Sequence, residues 1–575
     1  MAITFIVYLL ALIVLGIWMT PQNRGLKDFA LGGRSLTPPT AGVSAGAADM
    51  SGWVFLGLPG AVYASGLSAT WIVIGLALGT YGNWRLIAPR LRVYTERAGD
   101  SVTLPSYFEE RFADPTHMLR LISAAVTLVF FTVYVSSGLI AGGLLFQGVF
   151  GLNPAVSAGV AVLVIGVYTA FGGFKAVSRA HLLHGSVMVI VLGIVGASAF
   201  LVVGGPSRLS SGLYGTSPAL LNMVEGASFS HGRWHAAAPL GVIAVLSGLA
   251  WGLGYPGQPH ILARFMAIRG TSDIKQARRV GMAWVLVVLA GATMIGLSGI
   301  VLLDHPVDNP ETVYIAIANF LGNPWVAAIL LTAVLAAIMS TADSQLLVSA
   351  NTLAEDFYHA FLHRRASDRA RLISGRVTVV LVAAIAYVLA LSGGSVLDIV
   401  SYAWAGFGAS FGPVILLSLF WPRMTWVGAL AGIVAGSAVV LLWSHINPLL
   451  GPLRSDIYEM IPAWIVATAA ILVFGRIGRL PQQEWRGPTG EPPFELEQVD
   501  LPRHAPARSA FYDPQPMPAP IANPAPAPSP EPRTAPQPSP LPRRPQTPPR
   551  QQTPWQSPPP QPSPPGQWPS PPQPR

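Results

Sequence analysis

The 575-residue chain contains no cysteine and few charged residues. Without cysteine it cannot form disulfides, thiolate nucleophiles or cysteine-ligated metal sites. Only 11% of its residues are charged whereas 51% are hydrophobic, and this charged share is less than half of that in a usual soluble protein. The two deficits together exclude an ordinary soluble enzyme.

Proline is concentrated at one end of the chain. Of 54 prolines, 29 lie in the last 75 residues, and the segment from Leu501 carries seven arginines against only Asp513 and Glu531. This segment thus has a net charge of +5, and the overall charge of +9 leaves +4 for the rest of the chain. The high pI is therefore no argument for a nucleic-acid partner. The sequence predicts a transmembrane domain at 1–480 and a disordered, proline-rich cytoplasmic tail at 481–575.

The predicted transmembrane domain contains thirteen long apolar runs. A bilayer core of about 30 Å needs roughly 20 consecutive apolar residues in an α-helix. We therefore predict an all-α integral membrane protein of about 13 transmembrane helices. The predicted spans are 2–20, 39–60, 66–88, 120–149, 155–174, 185–204, 237–259, 280–303, 324–350, 377–394, 396–421, 425–445 and 461–475.

The distribution of arginine and lysine predicts the orientation of the spans. Short cytoplasmic loops of membrane proteins collect these residues. The loops after spans 1, 7 and 9 are rich in them and fall on one side, whereas the loop after span 8 has acidic residues only. The N-terminus is thus predicted to lie outside and the tail in the cytoplasm. The cations that define the cytoplasmic side are Arg24, Lys27, Arg34, Arg264, Arg269, Lys275, Arg278, Arg279, Arg364, Arg365, Arg369, Arg371 and Arg376.

Two spans carry the signals of an interrupted helix. Span 2 reads SAGAADMSGWVFLGLPG over 44–60, and span 7 contains WGLGYPGQPH over 251–260. Glycine and proline at this density break helical hydrogen bonding, which is tolerated at membrane depth only where the backbone is buried or lines a cavity. A packing kink is the alternative for one such span. Two of them, about 205 residues apart, predict a transport site between inverted repeats, with the repeats at about 39–204 and 237–421.

Polar residues accompany these interruptions. Asp49 lies within span 2, where a charge costs at least ~2.5 kcal/mol and is functional by default, the alternative being a protonated or capping carboxylate. In span 9, Ala337, Ser340 and Thr341 share one helix face. Isolated hydroxyls bond back to their own helix, but next to unwound carbonyls they predict a sodium site, because a hard cation prefers oxygen ligands. Asp343 can be interpreted as a snorkelling acid near the helix end.

Several strings of the sequence resemble a known transporter family. They are DFALGGRSL (28–36), SAGAADMSGW (44–53), GLPGAVYASG (57–66), VTLPSYFEERF (102–112), FFTVYVSSG (130–138), WGLGYPGQPHILARFMA (251–267) and MSTADSQLLV (339–348). Over roughly residues 1–480 the chain resembles the sodium/solute symporter family, most closely its sodium/proline branch. The resemblance implies a five-plus-five inverted-repeat fold of the LeuT-like kind that works by alternating access.

The resemblance also implies which residues form two binding sites. The implied sodium ligands are the backbone carbonyls of Ala47, Met50 and Ala337 and the hydroxyls of Ser340 and Thr341, with Asp49 organising the site. The implied substrate positions are Ser51, Gly52, Trp53, Tyr134, Trp251, Tyr255 and Pro259. Residue chemistry agrees, since free N–H groups beside a break can hold a carboxylate and aromatic rings suit a pyrrolidine ring and its ammonium. For each aromatic alone, core or lipid-interface packing is the alternative.

Three further positions are implied to act in coupling or gating. Asp28 and Arg34 match loop positions, although a solvated arginine is the ordinary interpretation of Arg34. The family usually has an aspartate where this chain has His181, within SRAHLLH at 178–184. Because that position resembles part of the sodium exit route, the histidine is expected to change the coupling rate. A histidine that titrates near pH ~6.5 would also make inward release of sodium pH-sensitive.

The combined prediction is uptake of L-proline with sodium as the co-transported ion, across the cytoplasmic membrane and without an enzymatic step. The alternatives are another small solute, proton coupling, or a membrane sensor on the same fold, which would need an output domain after span 13. A channel agrees poorly with two interrupted helices. In the tail, PLPRRPQTPPR at 540–550 has the PxxP spacing of ligands for aromatic grooves, and the alternative is a solvated spacer.

Overall fold

A computed structural model describes residues 31–362, 368–448 and 457–478. The chain divides into two compact units, residues 1–512 and 513–575, and all the described residues belong to the first. Predicted span 1, Asp28 and the proline-rich tail lie outside the described residues. The boundary predicted at residue 480 therefore stays a prediction.

The first half of the described chain is helical. Its α-helices are α1 (Pro38–Asp49), α2 (Gly52–Phe55), α3 (Gly57–Ser65), α4 (Thr70–Gly82), α5 (Ala88–Arg97), α6 (Leu104–Phe112), α7 (Met118–Phe150), α8 (Pro154–Val203) and α9 (Pro206–Thr216). A π-helical turn at Asn83–Ile87 joins α4 to α5, and 3₁₀ turns lie at Gly66–Ala69 and Pro218–Leu221. The spans predicted at 155–174 and 185–204 both lie within α8.

A β-hairpin follows α9, which the expectation of a purely helical protein did not include. Strands β1 (Glu225–Ser230) and β2 (Arg233–Pro239) pair antiparallel, with Ser230 opposite Arg233. The turn between them is His231–Gly232, and both residues have positive φ, as a tight hairpin turn requires. Trp234 of β2 donates from Nε1 to the Tyr63 carbonyl oxygen at 2.7 Å, which fastens the hairpin to α3.

The second half returns to helices. They are α10 (Val242–Leu249), α11 (Pro259–Ala267), α12 (Ile274–Leu302), α13 (Val313–Leu321), α14 (Pro324–Asn351), α15 (Asp368–Ala390), α16 (Val396–Phe420), α17 (Trp426–Ile446) and α18 (Met460–Phe474). Shorter 3₁₀ segments lie at Ala250–Gly257, Thr271–Asp273 and Pro310–Thr312, and a π-helical segment at Thr352–Leu362. Glu311 caps α16, since its carboxylate accepts from the backbone N–H groups of Val396 and Leu397 at 2.9 and 3.0 Å.

The described helices have the length and composition of membrane spans. Eight helical stretches of the described chain are long and apolar enough to cross a bilayer, and three shorter helices are also apolar. Many large apolar side chains on their outer faces are exposed, for example Leu163, Val242 and Leu201, as expected of surfaces that face lipid. The prediction of a multi-pass helical membrane protein is confirmed, whereas the number of thirteen spans stays a prediction.

Both predicted interruptions are present. Helix α1 ends at Asp49 because Met50 and Ser51 adopt extended backbone conformations, and α2 then starts at Gly52. In the other interruption, α10 gives way to the 3₁₀ segment Ala250–Gly257 and α11 begins at Pro259. Glycine is needed at Gly52 by close packing, because a Cβ atom there would lie 2.7 Å from the Ala141 Cβ.

The interrupted helices lie inside the bundle. Helix α1 packs against α8 and α12 and also contacts α14, while the 3₁₀ segment Ala250–Gly257 packs against α16 and α4. At Gly254 a Cβ atom would lie 2.0 Å from the Trp404 Nε1 of α16, so only glycine permits this contact. The non-helical backbone of both interruptions is therefore covered by protein, as membrane burial requires.

Candidate functional site

Oxygen atoms from α1 and α14 come together at the first interruption. Ser340 Oγ lies 2.8 Å from the Ala47 carbonyl oxygen and 3.0 Å from the Ala337 carbonyl oxygen, and these two acceptors share its single hydrogen. Thr341 Oγ1 lies 3.3 Å from the same Ala47 oxygen. In an unbroken helix that oxygen would accept from the N–H group of residue 51, but the extended backbone removes this donor. Two carbonyls and two hydroxyls thus face one another within hydrogen-bonding distance.

The fifth predicted ligand, Met50, lies at the interruption itself. Its backbone is extended and its side chain is buried. Every predicted ligand of the sodium site is therefore on the two elements that meet here, α14 and the end of α1. A hard monovalent cation that loses its hydration shell needs oxygen ligands in its place, and neutral, buried carbonyl and hydroxyl oxygens can serve as such ligands.

Asp49 connects the two interruptions. Its Oδ2 accepts from the Tyr255 hydroxyl at 2.8 Å, and its backbone oxygen accepts from Trp53 Nε1 and from the Tyr134 hydroxyl, each at 3.2 Å. All four side chains are at most 2% exposed. Asp49, the last residue of α1 before the break, thereby holds three aromatic side chains of the predicted substrate site in place.

The predicted aromatic positions form one connected group. The Trp53 and Trp251 rings have centroids 6.2 Å apart. Trp251 also stacks on Tyr458, and Tyr134 meets the His260 ring edge-on at 6.0 Å. Tyr458 and His260 were not predicted from the sequence. Buried amphipathic rings at a helix break can enclose a small ring-shaped solute and attract its cationic group.

The remaining predicted substrate positions divide between two places. Ser51 and Gly52 lie directly at the break beside Trp53, and Ser51 Oγ accepts from the Trp53 N–H at 3.4 Å. Pro259 instead begins α11 and lines a different small cavity, together with Val102 and other residues. The structure therefore brings six of the seven positions to the interruptions themselves and places the seventh at the start of the following helix.

Arg264 was wrongly assigned to a cytoplasmic loop. It lies within α11 and is 0% exposed, because its guanidinium forms hydrogen bonds inside the bundle. It donates to the His260 carbonyl at 2.7 Å, to Ser344 Oγ at 2.8 Å and to Ser44 Oγ at 3.3 Å. A buried arginine needs this many acceptors to offset the loss of hydration. It joins α11 to α1 and α14.

His181 lies beside this arginine. Its Nε2 pairs with Asp343 Oδ1 at 2.9 Å, while its Nδ1 lies 3.3 Å from Arg264 Nη2 and 3.1 Å from Ser44 Oγ. This pattern fits the tautomer that carries its proton on Nε2. Asp343 is 0% exposed, so its interpretation as a snorkelling acid is wrong. The imidazole connects a buried carboxylate to a buried guanidinium.

Arg34 is not a solvated loop residue. Its guanidinium donates to Asp100 Oδ1 at 2.9 Å, to the Met266 carbonyl at 2.7 Å and to the Ser101 carbonyl at 2.9 Å. The side chain is 11% exposed. Burial lowers the pKa of Arg34 from its ordinary value, and Asp100 opposes that shift. Arg34 fastens the segment before α1 to the end of α11.

A family model agrees with this geometry. The model described as the sodium:solute symporter family matches residues 29–436, which is well over half of the chain and includes both interruptions and the hydroxyl pair. The chain belongs to the sodium:solute symporter family. Its members are transporters and not enzymes, and sodium is the ion that this symporter co-transports.

Curated relatives cover most of the chain. The "High-affinity proline transporter PutP" of Bacillus subtilis is 44% identical over 476 residues, which is 82% of this chain and 97% of the relative. The "Sodium/proline symporter" of Escherichia coli is 44% identical over 491 residues, covering 84% of this chain and 94% of the relative. The "Osmoregulated proline transporter OpuE" of Bacillus subtilis is 42% identical over 479 residues, or 83% and 94%.

A solved structure shares the fold. A Na⁺-coupled sialic acid symporter, in a substrate-bound outward-open state, aligns with a TM-score of 0.67 at 16% sequence identity, covering 84% of this chain and 98% of that chain. At this identity the likeness concerns the fold alone. It confirms the predicted fold class, an all-α membrane protein.

Sequence reasoning missed several buried polar residues of this symporter. Arg264 had a signal, because it stands between apolar residues in ILARFMA, yet cation counting placed it in a loop. Gln258 donates from Nε2 to the carbonyls of Gly254 and Trp404, both at 3.2 Å, and follows the glycine-rich break directly. Asn83 donates to the Tyr255 carbonyl at 3.2 Å, and no sequence pattern distinguished it.

Proposed function

We propose that this protein imports L-proline together with sodium across the cytoplasmic membrane by alternating access. The observation that carries the proposal is the 2.8 Å hydrogen bond from Tyr255 to Asp49, because it joins the two interruptions and so places the oxygen cluster next to the aromatic group. Three curated relatives at 42–44% identity are proline transporters by name, which supports the choice of solute.

The oxygen cluster supports a sodium site at the first interruption. The proposed ligands are the carbonyl oxygens of Ala47, Met50 and Ala337 and the hydroxyl oxygens of Ser340 and Thr341. Sodium would take the place of the hydroxyl hydrogens that now point at Ala47. Asp49 is proposed to hold the carbonyls in position through its bonds to Tyr255 and Trp53, without binding the ion itself.

The aromatic group supports the proline site. The backbone of Ser51, Gly52 and Trp53 is proposed to bind the carboxylate, and the rings of Tyr134, Trp251 and Tyr255 to enclose the pyrrolidine ring and its ammonium. Pro259, at the start of α11, is proposed to shape the pocket from the far side of the second interruption. Because sodium and substrate would share the residues around Asp49, binding of one would favour the conformation that binds the other.

One sodium ion per proline supplies enough free energy. A potential of ~100 mV contributes about 2.3 kcal/mol per charge, and a tenfold sodium gradient adds about 1.4 kcal/mol. A hundredfold accumulation of substrate costs about 2.8 kcal/mol. Arg34 and His181 are proposed to act on opening toward the cytoplasm, since Arg34 bonds to Met266 of α11 and His181 to Asp343 of α14. Asp28 is proposed for the same process from its sequence position alone.

Uptake of labelled proline into proteoliposomes tests the proposal. An inward sodium gradient should drive accumulation, and replacing sodium by potassium should abolish it. Uptake that ignores sodium, or that a proton uncoupler alone abolishes, would contradict sodium coupling. Competition by unlabelled amino acids tests the solute, because a stronger competitor than proline would indicate a different substrate.

We further propose that the N-terminus lies outside and the proline-rich tail in the cytoplasm, on the basis of the cation distribution. The absence of cysteine permits a direct test. Single-cysteine variants Ala2→Cys and Ser557→Cys are exposed to a membrane-impermeant maleimide on intact cells. Only Ala2→Cys should be labelled, and labelling of Ser557→Cys would reverse the orientation.

The tail is proposed to bind a partner with an aromatic polyproline-binding groove through PLPRRPQTPPR at 540–550. Its spaced prolines and flanking arginines support this. The full-length protein and a variant with Pro542 and Pro545 replaced by alanine should differ in retention on immobilised SH3 domains. Equal retention would favour the solvated spacer.

A further inference from the structure

A small polar cavity lies beside Asp49. Its volume is about 10 Å³, which is close to the smallest volume that holds a single water molecule. It is lined by α1, α11, α12, the 3₁₀ segment Ala250–Gly257 and the junction of α4 with the π-helical turn. Its polar lining consists of Asp49, Thr80, Asn83 and Tyr255.

Two acceptor atoms in this lining have no hydrogen-bond partner among the residues that the structure describes. They are Asp49 Oδ1 and Asn83 Oδ1, on side chains that belong to residues 1% and 2% exposed. The other polar atoms of both side chains are engaged, Asp49 Oδ2 with the Tyr255 hydroxyl and Asn83 Nδ2 with the Tyr255 carbonyl. Buried acceptors are almost always satisfied by a donor.

Among the described residues, no hydrogen-bond donor of the lining reaches either oxygen. The Thr80 hydroxyl gives its hydrogen to the Leu76 carbonyl at 2.9 Å. The rest of the lining is apolar or aromatic, including Trp84 and Phe265. A water molecule donates two hydrogens and needs two to four polar partners, which matches this cavity. The side-chain oxygens of the four polar lining residues would also suit a cation, and the Asn83→Asp variant below distinguishes the two occupants.

We propose that the cavity binds one water molecule, which donates one hydrogen to Asp49 Oδ1 and the other to Asn83 Oδ1, and that Asn83 is thereby a positioning residue for the sodium site. The inference rests on the proposed function. Through its amide Asn83 holds the second interruption at Tyr255, and through the water it holds the first at Asp49. It also begins a π-helical turn, a feature frequent at functional sites.

The positioning role of Asn83 predicts a larger effect on the half-saturating concentration of sodium than on that of proline. Asp49 lies between Ala47 and Met50, whose carbonyls are proposed ligands, so loosening Asp49 displaces sodium ligands first. Loss of a partner that orients metal ligands typically lowers metal affinity by 10- to 100-fold. At saturating sodium, the half-saturating proline concentration should rise less than the half-saturating sodium concentration does, because among the described residues Asn83 reaches the proline site only through the Tyr255 carbonyl.

The test measures sodium-dependent proline uptake by three variants in proteoliposomes. Asn83→Leu removes the amide and fills the cavity, so its half-saturating sodium concentration should rise about 10- to 100-fold. Asn83→Asp places two carboxylates next to one water molecule and should also raise the half-saturating sodium concentration. Thr293→Val is the matched control, because among the described residues its buried hydroxyl bonds only to Leu289 of its own helix. It should leave the half-saturating sodium concentration unchanged.

The outcomes separate the alternatives. An unchanged sodium requirement in Asn83→Leu, or an equal rise in Thr293→Val, would overturn the inference. A lower sodium requirement in Asn83→Asp would overturn it in favour of a cation in the cavity. If Asn83→Leu does not reach the membrane, Asn83→Ser, which leaves room for water but has a shorter acceptor, should show a smaller rise, and no rise would overturn it. Failure of the wild type to need sodium would contradict the proposed function instead.

Discussion

The buried pair of His181 and Asp343 permits a quantitative prediction. Replacing His181 by aspartate restores the residue type usual in the family, yet here it creates two neighbouring carboxylates. Since His181 Nε2 lies 2.9 Å from Asp343 Oδ1 and an aspartate is shorter, we place the new carboxylate roughly 5 Å from Asp343, which corresponds to a repulsion of about 3 kcal/mol at an effective dielectric constant of ~20. Arg264 offsets a part of it.

A compensating change should reverse the loss. Asp343→Ser alone removes the carboxylate that pairs with His181 and attracts the buried Arg264, and breaking a buried pair typically costs about 3–5 kcal/mol. In His181→Asp/Asp343→Ser the arginine faces one carboxylate again. Each single variant should therefore be less stable than the double variant, which is the opposite of additivity.

The assay compares four proteins, the wild type, both single variants and the double variant. Thermal unfolding of the purified proteins in detergent gives the order of stability, and sodium-driven proline uptake shows whether function follows. If the double variant is destabilised by the sum of the two single effects, the charge argument is refuted. The double variant also lacks the imidazole, so a pH profile of uptake identical to that of the wild type would contradict pH-sensitive sodium release.

Three further changes probe separate parts of the structure. Replacing both Ser340 and Thr341 by alanine removes two hydroxyls from the oxygen cluster and should raise the half-saturating sodium concentration at least ~10-fold; an unchanged value would mean that sodium binds elsewhere. Glu311→Ala removes the acceptors of two N–H groups at the start of α16 and should destabilise the protein by about 1–2 kcal/mol in thermal unfolding, whereas the exposed Glu225→Ala should not. Trp234→Phe keeps the ring but loses the bond to α3, so limited proteolysis should cut the β-hairpin faster than in the wild type, and equal rates would show that the bond is dispensable.

Short-range signals allowed the sequence to predict the fold class and the position of the site. Hydropathy indicated membrane helices, and dense glycine and proline indicated interruptions within 44–60 and 251–260. The structure has them at Met50 and Ser51 and at Ala250–Gly257. Helical spacing placed Ser340 and Thr341 on one face. Each of these follows from the local backbone and from the cost of burying polar groups in lipid, so no knowledge of helix packing was needed.

The tertiary structure decided which polar side chains meet. Arg264 bonds to Ser44, which is 220 residues away, and His181 pairs with Asp343 over 162 residues. Cation counting could not detect the first, and a position near a helix end made Asp343 appear to be a surface acid. Tyr255 and Asp49 likewise meet only because the two interruptions face each other within the bundle.

The sequence by itself therefore determined that this chain crosses the membrane, where its helices are interrupted and which oxygens line one helix face, because those properties depend on neighbours a few residues apart. Only the tertiary structure decided that Arg264, His181 and Asp343 form one buried network and that Asn83 and Asp49 share a cavity. A charged or polar group inside a bilayer protein must find its partner across helices, and that partner depends on how distant helices pack.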